Sequence, residues 1–173
     1  MKEKISQILM NITSVLKGII LKGNFTTPAG NQLYATALSC IGVDASPDDL
    51  AADSFGCMES VSKIIQKALP DFKFPPLVST KTGYGHFVNS PLFLSVQKPI
   101  AGDLMIAVTG TGNGIISNGH IAIVGKNTSP DGSRWAMSND SRTGTWEVNY
   151  TINSFTRYFH DKGGMTIYFF RAV

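Results

Sequence analysis

The sequence predicts an α+β fold in which N-terminal helices pack on a small antiparallel β-sheet. Two observations carry this expectation. Up to about residue 69 the apolar residues recur at three- and four-residue steps, the period of a helix with one buried face. Beyond Pro91 they gather into short apolar or alternating runs divided by glycine, proline and aspartate, as strands and their turns do. Helices first and strands second is the α+β order. With 173 residues and no internal repeat or linker, residues 1–173 read as a single domain, large enough to close a core without disulfide staples.

Taken in order, Ile5, Ile8, Leu9, Ile12, Val15, Leu16, Ile19 and Ile20 form one apolar stripe, with Lys4, Gln7, Asn11, Ser14 and Lys17 mostly opposite, so residues 1–23 are expected to form an amphipathic helix packed on the domain. Asn11, Thr13 and Lys17 interrupt the stretch that a secretory signal needs, and no run of about 18 uncharged apolar residues is long enough to span a bilayer. Residues 23–30 read as a connection, 31–41 as a second helix ending at Gly42, and 46–50 as a capped turn. Four aspartates between Asp44 and Asp53 lack the alternating spacing of a calcium loop and are assigned to capping, so no metal is expected. A third helix over 54–69 buries Val61, Ile64, Ile65 and Ala68 and turns Glu59, Lys63 and Lys67 outward. Residues 79–91 are glycine-rich and read as a loop with a short helix. Strands are expected at 104–108, 120–124, 134–140, 144–150 and 165–171, with a late helix over 152–161.

Composition narrows the function classes. A net charge of +3 with no basic run longer than two residues argues against nucleic acid, while the mild basic bias suits an anionic polymer. The stretch 110–119 is rich in glycine but has no lysine, so it is not a phosphate-binding loop. Cys40 sits in an apolar helical run and reads as core filler. Two free thiols are therefore expected, and with them synthesis in a reducing cytosol.

Cys57 stands out because it opens a helix, where free backbone N–H groups and the positive end of the helix dipole favour a thiolate. A nucleophilic sulfur needs a base. Of the three histidines, His160 lies beside charged residues and reads as surface, and His86 lies in a loop. His120 opens a strand, which gives an imidazole the fixed placement that proton transfer requires. The polar cluster Ser138-Asn139-Asp140 ends the next strand. Asn139 or Asp140 can accept the other ring proton, and alternation along a strand lets at most one of the two point at His120. Tyr84, His86, Trp135 and Trp146 are candidate substrate-groove residues, with Trp146 expected to be partly exposed.

The stretch D-L-A-A-D-S-F-G-C-M-E-S-V, followed by N-G-H-I-A-I-V-G and M-S-N-D-S, resembles the CHAP and NlpC-type cysteine peptidases that cut peptidoglycan, over roughly residues 44–150. The resemblance implies a papain-like fold with Cys57 as nucleophile, His120 as base and Asn139 as orienter. The acid common at that position falls one residue later here, which leaves Asn139 against Asp140 open. It further implies a cysteine-dependent amidase or endopeptidase acting on the peptide of bacterial peptidoglycan, with no cofactor, as a monomer without stable membrane insertion. Such a protein would be made in the cytoplasm without a clear signal peptide and act at the cell wall or periplasm, as phage-encoded and virion-associated lysins do. An acyltransferase or a protein or lipid deacylase using the same residues is the alternative enzyme reading. A noncatalytic wall-binding or phage structural module is the alternative of another class.

Overall fold

The computed structural model describes residues 25–46, 56–114 and 116–173. The helix expected over 1–23 and most of the aspartate-rich segment lie outside the described residues. Helix α1 (Pro28–Ser39) begins three residues before the apolar period indicates. The Thr27 side chain accepts from the Gly30 N–H and Pro28 takes the first turn, a start signal carried by the T-P pair rather than by hydrophobicity. The Thr27 hydroxyl also donates to the Ala172 carbonyl at 2.6 Å, tying this helix to the last strand.

Helix α2 (Cys57–Ala68) buries Met58, Val61, Ile64 and Ile65. Glu59, expected on the outer side, is instead buried in the first turn, where the positive helix end favours a carboxylate. Helix α3 (Thr80–Asn89) is a full ten-residue helix that fills most of the stretch expected to be a loop with a short helix. Gly83 permits close approach to α2, since a Cβ there would collide with the Met58 sulfur.

Six antiparallel strands follow: β1 (Phe93–Ser95), β2 (Leu104–Ala107), β3 (His120–Thr128), β4 (Arg134–Asp140), β5 (Thr145–Thr151) and β6 (Ile167–Ala172), in the spatial order β1-β6-β2-β3-β4-β5. Between β5 and β6, helix α4 (Ile152–Thr156) runs into a π-helical turn, Arg157–Lys162. The sheet is covered on both faces. Leu104, Ile106, Ile121, Ile123 and Met137 pack with α1 and α2. Met105, Ala107, Ala122, Val124 and Ala136 pack with Phe155 and Phe159 from the other side. This double burial explains why L-M-I-A and I-A-I-V are continuous apolar runs rather than alternating ones.

Arg171 on β6 makes a two-pronged, fully buried ion pair with Asp103, both contacts at 2.8 Å, which fixes the turn entering β2. Cys40 and Cys57 are both free thiols.

Candidate active site

A cleft of about 700 Å³ opens beside the start of β3 and the end of β4. Cys57 and His120 both line it, together with Asn139, Asp140, Asn149, Tyr150, Tyr158 and Phe159. The ladder between β3 and β4 pairs Ile123 with Met137, yet β3 starts three residues earlier and β4 ends three residues later. The ends beyond that pair carry His120 on one strand and Ser138, Asn139 and Asp140 on the other.

Cys57 enters from the helix side. It is 7% exposed, and burial pushes its thiol up to about 11, against the lowering influence of the N–H groups of Ile121, Met58 and Cys57 itself. The helix-end thiolate anticipated from position is therefore overridden: desolvation outweighs the helix start, and the resting group is a neutral thiol. Backbone contact with Ile121 brings the sulfur against the residue next to His120.

His120 belongs to the opposite face. Its ring stacks on Phe159 at 5.5 Å between centroids and 12° between planes, with Tyr150 and Phe155 at 5.5 and 6.0 Å. Desolvation by this surround pulls the imidazole down to about 4, and the Asp140 carboxylate only partly opposes it. Gly119 sets the ring's backbone. Its N–H donates to Thr109 Oγ1 at 2.9 Å, and a Cβ there would strike the Ala107 carbonyl oxygen and the Thr109 nitrogen. No hydrogen bond joins the Cys57 sulfur to the His120 ring among the described residues. Thiol–base contacts of this kind are often long without substrate and tighten when it binds.

The ring's partner is neither residue named from the sequence. His120 Nε2 lies 2.9 Å from Ser138 Oγ, and Ser138 Oγ donates to Asn149 Oδ1 at 2.7 Å. Strand parity explains the correction. Asn139 pairs with Trp146, which belongs to the helix-side core with Cys57, so the Asn139 side chain is on the thiol's face and does not orient His120. Ser138 and Asp140 share the other face. Asp140 is held by Arg142 through contacts of 3.2 and 2.8 Å, which bring its carboxyl down to about 2, and it acts on His120 through its charge alone.

The proposed groove aromatics are also corrected. Trp146 is 1% exposed, with its indole N–H donating to the Ala37 carbonyl at 3.0 Å, and is a core residue. Tyr84 packs on Tyr168 and Phe170, and His86 sits edge-on to Phe74 at 4.7 Å; neither lines the cleft. Trp135 pairs with Thr151 at the far end of β4 from the cleft. The aromatics that do line the cleft are Tyr150, Tyr158 and Phe159, of which Tyr158 is exposed. No periodicity distinguished them from core.

Fold and cleft together define an α+β protein of papain-like architecture, with a cysteine at a helix start beside the ends of the interior strands β3 and β4 of an antiparallel sheet. A similar fold occurs in the crystal structure of the type VI native effector–immunity complex Tae3–Tai3 from Ralstonia pickettii, where the match has a TM-score of 0.50 and 19% sequence identity and covers 83% of this chain and 98% of the other. At that identity the likeness is one of fold. No family model matches the chain, and no curated protein matches it either.

Proposed function

We propose that this protein is a cysteine-dependent amidase or endopeptidase that cleaves an amide bond in the peptide of bacterial peptidoglycan. The observation that carries the reading is a single cleft bordered by both the Cys57 thiol and the His120 imidazole. Both groups are neutral at rest, so His120 acts as a general base that takes the S–H proton as sulfur attacks the amide carbonyl carbon. Backbone N–H groups at the start of α2 lack partners within the helix and would be the donors for the developing oxyanion. The imidazolium, with Ser138 on its far nitrogen and the Asp140 charge nearby, returns the proton to the leaving amine. Water activated by His120 then hydrolyses the thioester and restores the thiol.

The resemblance of the Cys57, His120 and Ser138-Asn139-Asp140 segments to wall-cutting peptidases supports peptidoglycan as substrate. Likeness in fold to a chain of a type VI effector–immunity complex supports an effector role, with a protein partner of its own. The test is digestion of purified peptidoglycan with mass analysis of the fragments. Wild type should release peptides heavier by one water per cut, and Cys57→Ala should release none. Equal digestion by the variant, or intact peptidoglycan with the wild type, would overturn the proposal.

A further inference from the structure

We infer that Asn149 is a positioning residue that fixes the tautomer of His120, leaving Nδ1 as the basic nitrogen and Nε2 as the protonated one. Asn149 occupies a β-bulge: Ala136 pairs with Tyr150 and Met137 with Val148, so Asn149 has no residue opposite it on β4. Bulges re-aim side chains. Here the amide turns back to β4, where Nδ2 donates to the Asn139 carbonyl at 3.3 Å and Oδ1 accepts from Ser138 Oγ at 2.7 Å.

The direction of the whole chain follows from its one group that cannot be reversed. A backbone carbonyl only accepts, so the Asn149 NH₂ must face Asn139 and its oxygen must face Ser138. That oxygen also only accepts, and at 2.7 Å it is a far shorter partner for the single Ser138 proton than the Asn139 carbonyl at 3.4 Å, itself also only an acceptor, so the proton points to it. With its proton committed, Ser138 Oγ can only accept from His120 Nε2, at 2.9 Å. The remaining ring nitrogen, Nδ1, then carries the lone pair. A flipped amide would set its oxygen against the Asn139 carbonyl oxygen and free Ser138 to donate to the ring, inverting the tautomer.

This deepens the proposed hydrolase mechanism and rests on it for its catalytic meaning, but the tautomer can be read without any substrate. The experiment is nitrogen NMR of the full chain with labelled histidine at neutral pH. His120 in the wild type should show a protonated Nε2 and a lone-pair Nδ1, a measurement that needs no variant. Asn149→Leu should shift His120 toward a mixture of tautomers, and Ser138→Ala, which removes the acceptor for Nε2, should do the same. In the peptidoglycan assay Asn149→Leu should lower kcat about tenfold with little change in KM, the lower end of the usual contribution of a positioned base being on the order of a hundredfold. A protonated Nδ1 in the wild type, or an unaltered His120 spectrum in a folded Asn149→Leu, would overturn the inference. If the spectra behave as expected while wild type leaves peptidoglycan intact, the tautomer assignment stands and the substrate proposal fails.

Discussion

Ser138 Oγ stands 2.9 Å from His120 Nε2 on the face of the sheet that carries Phe155 and Phe159. The thiol of Cys57 packs with the core of the other face. The proposed nucleophile and base therefore belong to different layers of the molecule and share a cleft only at the end of the β3 and β4 strands, beyond the pairing of Ile123 with Met137.

The aromatic enclosure of His120 makes folding stability depend on pH. The ring titrates at about 4 in the folded protein against 6.5 for an ordinary histidine. Between those values the unfolded chain binds a proton that the folded chain refuses, so stability is fully present above pH 6.5 and falls as pH drops toward 4. A depression of this size corresponds to roughly 3 kcal/mol. Urea unfolding at neutral pH and near pH 4 should show that loss in wild type and a markedly smaller one in His120→Gln. Equal losses in both would mean that the folded protein carries His120 charged.

Trp146 separates a core role from a substrate-binding one. Its indole donates to the carbonyl of Ala37, itself fully buried, and so joins β5 to α1. Trp146→Phe keeps most of the volume but strands that carbonyl, at a cost of about 1–3 kcal/mol. Denaturant midpoints should fall accordingly, while KM for peptidoglycan fragments stays at the wild-type value. A raised KM with unchanged stability would return Trp146 to the groove.

The difference between what was legible and what was not follows from the range of each signal. Hydrophobic period and turn residues are local, and they located α2, the interior strands and the late helix. They also identified Cys57 and His120 as residues at element starts, both of which line the cleft. Ser138 lay inside the polar cluster read from the sequence, but alternation was applied there only to choose between Asn139 and Asp140; what was missing was which face His120 occupies. Asn149 had no local signal at all, because its aim depends on a bulge set by pairing between β4 and β5. Trp146 failed for a related reason. A tryptophan after a glycine turn looks exposed until the helix that covers it, α1, is in place.

The state of the Cys57 thiol supplies the last prediction. A preformed thiolate and imidazolium pair would give a thiolate ultraviolet signal at neutral pH, whereas burial here holds the sulfur protonated up to about 11. The difference spectrum between wild type and Cys57→Ser should therefore show no thiolate band from about pH 5 to 9, where a thiol of that pKa is on the order of 1% ionised or less. A band at neutral pH would mean that the helix start and His120 together outweigh desolvation. The same reasoning limits what alkylation can decide. A buried neutral thiol reacts slowly with a small alkylating reagent whether or not it is catalytic, because the thiolate is the reactive form. Slow labelling of Cys57 at neutral pH is thus expected of the enzyme as much as of an inert module, and only cleavage of peptidoglycan by the wild type, with its loss in Cys57→Ala, distinguishes them.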